Sequence, residues 1–198
     1  EIDKQVDEYK RSLVNYIYQT KLIEANLDTN ITRREIEQYY SDHEDNFILK
    51  ENIVKVHYFK IPVKAPGLEK IKRLLRSYAY VAKDVDQLKS LCMQNAENFF
   101  MNDSTWLYLE DVKKEIPKLR DQPDFNLAQG RVLEFTDELY FYYLRIKEVK
   151  VKDGLSPLNF ERQNIKNFII NKKKTQLIND YKFQLLEKAK TEKVFEVY

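Results

Sequence analysis

The 198-residue sequence has only three glycines, five prolines, one cysteine and two histidines. A chain of average composition is roughly 7% glycine, or about a dozen at this length. Gly67, Gly130 and Gly154 cannot spell GxGxxG or GxxxxGK[ST], which excludes the Gly-rich phosphate cradles. A collagen-like repeat and a flexible Gly/Ser linker go with them. The single cysteine, Cys92, leaves no intrachain disulfide to form. His43 and His57 have no cysteine or carboxylate at metal-ligand spacing, so neither a zinc site nor any other cofactor is expected.

Long apolar runs are also missing. None approaches the ~20 residues of a membrane span, and no signal peptide is visible. The first residue is Glu1 rather than Met, already inside a helical pattern, as expected of a processed or trimmed chain. Charge of one sign is lacking too. Lys+Arg 34 against Asp+Glu 32 leaves +2, without the basic excess of a dedicated nucleic-acid binder. What the chain has in plenty is aromatics, 14 Tyr and 11 Phe with one Trp. Such a chain buries a core and is not disordered. Its length fits one mid-sized domain or two small modules.

Apolar residues at Ile2, Val6, Tyr9, Leu13, Tyr16/Ile17 and Ile23 recur at steps of three and four, which predicts a helix from Ile2 to Leu27. Thr32 with Glu35 three residues on is a helix N-terminus signature, so a second helix should run from Arg33 to Glu44. From Ile53 to Ile61 β-branched and aromatic residues take over, and Pro62 closes a predicted strand. Helical spacing returns over 68–80 and 84–100. Ser104–Leu109 reads as a short strand and Val112–Leu119 as a brief helix disturbed by Pro117. Arg131–Phe135 and Leu139–Val151 read as two strands around a Thr136-Asp137-Glu138 turn. Residues 158–193 form a last long helix. The expected fold is α+β, a β-α-α-β-α-β-β segment flanked by long N- and C-terminal helices that pack together. The expected divisions are a helical segment 1–50, a mixed domain 51–154 and a helical segment 155–198.

The middle segment resembles the parvulin-type (PpiC/rotamase) peptidyl-prolyl isomerase domain, and the whole chain looks like a SurA-like exported chaperone. Phe125-Asn126-Leu127-Ala128-Gln129-Gly130 is similar to the family's Phe-x-Leu-x-x-Gly stretch entering a strand. Leu139–Val149 resembles its final strand. Thr32-Arg33-Arg34-Glu35-Ile36-Glu37-Gln38-Tyr39-Tyr40, followed by Asn46-Phe47, is similar to the link that precedes this domain. The resemblance implies a periplasmic or otherwise exported folding factor whose partners are unfolded or extended polypeptides, such as outer-membrane proteins.

The departures fall on the chemistry. The family's first-strand histidine falls on Tyr58, with His57 one place early and facing the other way. Its last-strand histidine falls near Tyr142, and its Cys or Asp near Asn98. The Gly-rich loop is represented by Asp103-Ser104-Thr105-Trp106-Leu107-Tyr108 without its glycines. An isomerase lowers a rotational barrier of ~20 kcal/mol by desolvating and twisting the X-Pro amide. Tyr58 and Tyr142 are the candidate catalytic hydroxyls. Trp106, Tyr108 and Phe125 are the candidate proline pocket, and these five make the expected substrate site. Their plain alternative is sheet and helix core. The missing histidines and glycines favour a chain binder without efficient isomerase activity over an active isomerase. A third reading makes the terminal helices a homodimer or assembly element.

Other features read as structural. Cys92, between Leu91 and Met93, is expected to be a buried inert thiol. The acidic run Glu35, Glu37, Asp42, Glu44 and Asp45 reads as a solvated face. Lys172-Lys173-Lys174 falls short of a lipid or nucleic-acid signal. His43 is expected to be a solvated helix-end residue and His57 a satisfied strand residue.

Overall fold

The computed structural model describes residues 1–77, 84–121 and 128–192. The expected helix ends at 78–80 and at 193, and residues 125–127 of the Phe-x-Leu-x-x-Gly stretch, lie outside the described residues. The fold class is mixed helix and sheet, with a long first helix and a long last helix flanking, in sequence, an antiparallel sheet. The chain separates into two compact units, one from Asp45 to Ser156 and one from Glu1–Glu44 together with the chain from Pro157 onward.

In the sheet unit, β1 (Ile53–Pro62) is central and β5 (Tyr140–Lys150) pairs along all of it. The strand order is β2-β1-β5-β4, with β2 (Asn98–Met101) and β4 (Val132–Thr136) at the edges, and the two-residue β3 (Leu107–Tyr108) also pairs with β1. Every pairing is antiparallel. β1 is apolar almost without interruption because both its faces are covered, which is why its sequence alternates only partly. β4, at the edge, alternates cleanly between exposed and half-buried positions.

One face carries Val54, Val56 and Tyr58 of β1 with Tyr142, Leu144 and Ile146 of β5. Against them pack α5 (Leu109–Glu115) and the 3-10 turn Pro117–Leu119, through Val112, Ile116 and Leu119. The other face carries Phe59, Ile61, Phe141 and Tyr143, covered by α3 (Leu68–Ser77) and α4 (Asp84–Asn95). Leu68, Ile71 and Leu75 lie at i, i+3 and i+7, so α3 presents one apolar stripe, and Tyr143 donates to the Leu75 carbonyl at 3.3 Å. Cys92 is fully buried on this face, and burial pushes its thiol up to about 12.

The expected helix over 84–100 is corrected. It ends at Asn95, whose side chain donates to the Leu91 carbonyl, and residues 98–101 form β2. Phe99 and Phe100 sit beside Phe59 and Tyr58 on β1, and that cross-strand stacking outweighs the apolar helical spacing. The strand expected at 104–109 shrinks to two residues, because Asn102 accepts from the Ser104 and Thr105 amides and turns the chain. The brief helix starts earlier, as α5, and yields to a 3-10 turn at Pro117.

Gly130 is the one glycine with positive φ, at +80°, immediately before β4. Its amide donates to Ile146 at 2.8 Å, so the left-handed turn feeds β4 into register with β5. At the base of the unit, Leu49 donates to Gly154 and Ser156 donates to Phe47. The chain therefore enters and leaves the sheet unit side by side.

The helical unit contains α1 (Ile2–Asn26), α2 (Arg33–Asp42) and α6 (Leu158–Thr191). Its core is small, with Ile36 of α2 and Ile165 and Ile169 of α6 buried. α1 meets α6 where the Tyr18 and Tyr181 hydroxyls hydrogen-bond, and no α1 side chain is buried. The expected cap is present. Thr32 Oγ1 accepts from the Glu35 amide while Glu35 accepts from the Thr32 amide at 2.8 Å. Thr32→Ala should cost about 1 kcal/mol of helical-unit stability, measured as a lower urea midpoint by far-UV circular dichroism.

Candidate functional site

Tyr58 and Tyr142 are brought together. Tyr58 faces Leu144 and Tyr142 faces Lys60, so the two tyrosines are diagonal neighbours on the face covered by α5. Both are buried, at 8% and 2% exposure. The Tyr58 hydroxyl accepts from Asn98 Nδ2 at 3.2 Å. The Tyr142 hydroxyl donates to Asp137 Oδ2 at 2.9 Å. Burial raises the Tyr58 phenol, with the Glu115 carboxylate adding to it. Burial, then the bond to Asp137, pushes Tyr142 up to about 12. Both phenols are therefore protonated near neutrality. Asp137 is itself committed. Its Oδ1 accepts from the Leu139 and Tyr140 amides at 2.8 and 2.7 Å, which forms the β4–β5 turn and holds its carboxyl below the usual range.

Trp106 and Tyr108 do not join them. Leu107 lies opposite Val54 and packs on the tyrosine face, so its neighbour Tyr108, opposite Ile53, projects to the other side and is 43% exposed. Trp106 is buried, with the Lys55 ammonium 4.8 Å from its ring centre. Lys55 alternates with Val54 and Val56, and so also leaves the tyrosine face. Phe125 lies outside the described residues.

A polar cluster absent from the sequence reading occupies the face opposite the tyrosines. His57 Nε2 lies 2.9 Å from Asp103 Oδ1, and Lys147 Nζ lies 2.9 Å from the same oxygen. Arg145 is the register partner of His57 on β5. Lys147 lies on this side by the ordinary alternation of β5, two residues past Arg145, and the register shift between Lys55 and Val56 leaves it without a partner on β1. Asp103 follows β2, two residues past Met101, which itself pairs with His57. The only signal in the sequence was Asp103 just beyond an apolar stretch, and the strand identity of that stretch was hidden. The cluster ties the 102–106 turn to the sheet. Among the described residues, no group of three or more His, Cys, Asp or Glu is placed to hold a metal. Likewise, no described helix is long and apolar enough to cross a membrane.

In the helical unit, α2 and α6 leave a cleft of about 470 Å³ between them, with Tyr39, His43 and Ile169 among its lining. His43 stacks on Tyr39 with ring centres 4.3 Å apart and is half-buried, not a solvated helix end. Tyr39 also stacks near Phe168 at 6.5 Å. Glu35, expected on a solvated face, pairs with Lys173 of α6 at 2.8 Å. That bond, with those from Thr32, lowers its carboxyl to about 2. α1 carries the largest run of exposed apolar side chains in the unit, including Ile2, Val6, Tyr9, Leu13, Tyr16 and Ile17.

No family model matches the chain, and no curated protein does. Among solved structures the chain is similar to one from a study of two structurally related SurA-like chaperones of Campylobacter jejuni, a virulence factor and a periplasmic protein. The match covers 98% of this chain and 73% of that one, at 16% identity and a TM-score of 0.35. A likeness that weak carries no fold or activity across.

His57 predicts an acid sensitivity. Burial lowers its pKa below the ordinary 6.5, outweighing the Asp103 carboxylate, which raises it; Lys147 and Arg145 act with burial. A base whose folded pKa is depressed binds protons more readily when unfolded, so stability is full above 6.5 and falls as the pH drops below it. The urea midpoint, followed by Trp106 fluorescence, should fall between about pH 7 and about pH 5, and His57→Gln should flatten that fall.

Proposed function

We propose that this chain is a parvulin/SurA-like folding factor, working in the periplasm or another exported setting, that binds unfolded or extended polypeptides without efficient isomerase activity. The observation that carries this reading is the apolar side of α1. Ile2 and Tyr9 are 76% and 71% exposed, and Val6, Leu13, Tyr16 and Ile17 continue the stripe. Scattered exposed apolar residues are ordinary, but a contiguous face is an interaction surface. Fully burying one large apolar side chain is worth about 2 kcal/mol. Four such side chains give roughly 8 kcal/mol before ordering costs, which suits weak, reversible capture. The wild-type protein should slow aggregation of an unfolded outer-membrane protein in proportion to its concentration. Val6→Glu with Leu13→Glu should abolish most of that effect while leaving helicity intact, since neither side chain is buried. No slowing by the wild type at any ratio would defeat the reading.

The same stripe supports a second reading. Ile2, Val6, Tyr9, Leu13 and Tyr16 are spaced four, three, four and three apart, the period of a two-stranded coiled-coil seam. On that reading α1 covers itself in a homodimer. Sedimentation equilibrium separates the two, since a monomer at all accessible concentrations leaves the stripe for clients.

The isomerase alternative asks for hydroxyls that a substrate amide can reach, whereas Tyr58 and Tyr142 are buried and engaged with Asn98 and Asp137. Exchange spectroscopy on an Ala-Pro peptide should show no acceleration by the wild type. Acceleration that Tyr142→Phe lowers would reinstate the alternative.

A further inference from the structure

The cleft between α2 and α6 has its own chemistry. On α2 its lining falls at Glu35, Gln38/Tyr39 and Asp42, and on α6 at Ile169, Lys172/Lys173 and Gln176. Both sets follow the i, i+3/i+4, i+7 rule, so one face of each helix is turned to the other along about two turns. Ile169 is the buried floor, and the stacked pair Tyr39–His43 forms an aromatic wall. The volume, about 470 Å³, is in the range of sites that hold a ligand.

The charges sort into those engaged and those not. Glu35 is satisfied by Lys173 and by Thr32. Asp42 accepts from Gln38 at 2.8 Å. Arg34 on the α2 wall and Lys172 on the α6 wall are exposed, and among the described residues neither has a hydrogen-bond or ion-pair partner. An apolar floor and aromatic wall are thus flanked by two cations without ion-pair partners, one on each helix, with the Asp42 carboxylate, held by the neutral Gln38 amide, two turns along α2 from Arg34.

Beyond this cleft the hollow continues along α6, sharing Lys172 and Gln176 with it, past Thr175, Asn179 and the Asp180 carboxylate, which lies eight residues from Lys172 along the helix. Gln176 and Asn179 carry amides that both donate and accept. A peptide backbone matches both halves of such an amide, whereas a compact anion uses the donor half alone.

We propose that the α2/α6 cleft is a docking site for extended polypeptide in which a large apolar or aromatic residue is flanked by Asp or Glu. The apolar residue enters against Ile169 and Tyr39, and the flanking carboxylates meet Arg34 and Lys172. This site selects by charge where the α1 stripe selects only by apolarity. The inference rests on the polypeptide-binding reading of the chain and names a sequence class within it.

Two acetylated, amidated ten-residue peptides test it against the full chain, identical except that one has Asp and the other Lys on both sides of a central Phe. Calorimetry should show the Asp peptide binding at least tenfold more tightly, with affinity falling steeply between low and high salt. Amide shifts should centre on Tyr39, His43 and Ile169. Arg34→Glu with Lys172→Glu should reverse the preference. Arg34→Gln with Lys172→Gln should abolish it without reversal, and serves if the reversed variant does not fold. Equal binding of the two peptides, or shifts centred outside α2 and α6, would overturn the site. The aggregation assay keeps the two ideas apart. Slowed aggregation with no peptide preference removes the cleft and leaves the polypeptide-binding reading. Peptide preference without slowed aggregation retains the cleft and removes the α1 stripe.

Discussion

The ladder between β1 and β5 is the constraint on which the sheet unit depends. It holds ten register pairs, from Ile53 with Lys150 to Pro62 with Tyr140. Each strand alternates its side chains across two covered faces, so a slip of one residue would exchange the two cores entirely. Tyr58 would trade places with His57 or Phe59, and Tyr142 with Phe141 or Tyr143. The register is pinned at one end by the Asp137 turn and at the other by the pairing of Phe47–Leu49 with Gly154–Ser156. Because that pairing returns the chain to where it entered, α1, α2 and α6 can form one unit from the two ends of the sequence.

The same ladder decides what polar chemistry the unit can hold. On one face the Tyr58 and Tyr142 phenols are each held by a neighbour and kept protonated, with Tyr140 beside Tyr142. The other carries, besides the Tyr143 phenol, an imidazole, a carboxylate and an ammonium, brought together by strand alternation and the turn after β2. Tyr58 and Tyr142 therefore lie on the opposite side of the sheet from His57. Among the described residues, the longest exposed apolar run, on α1, and the cleft between α2 and α6 both belong to the helical unit.

The sequence disclosed most where local chemistry and fold agree. Thr32 and Glu35 announced the start of α2. The alternation from Tyr140 to Lys147 announced β5, and the steps of three and four from Ile2 announced α1. It misled where a distant partner decides. Asn98–Met101 continues the apolar spacing of a helix and becomes a strand only because β1 offers an edge. Lys147 meets Asp103 only because Asp103 follows β2, whose strand identity the helical spacing hid. Glu35 looked solvated because its partner, Lys173, lies at the far end of the chain. Which aromatics share a face likewise followed from register: Tyr58 and Tyr142 meet, while Trp106 and Tyr108 turn away.

Cys92 sits at zero exposure on the buried side of α4, with its thiol raised to about 12 by burial alone. At neutral pH the thiolate that disulfide exchange requires is therefore scarce. The packing of α4 against the sheet shields the thiol in the folded chain. Its redox vulnerability belongs to the unfolded state, so tertiary packing protects the thiol where a second cysteine would otherwise be needed.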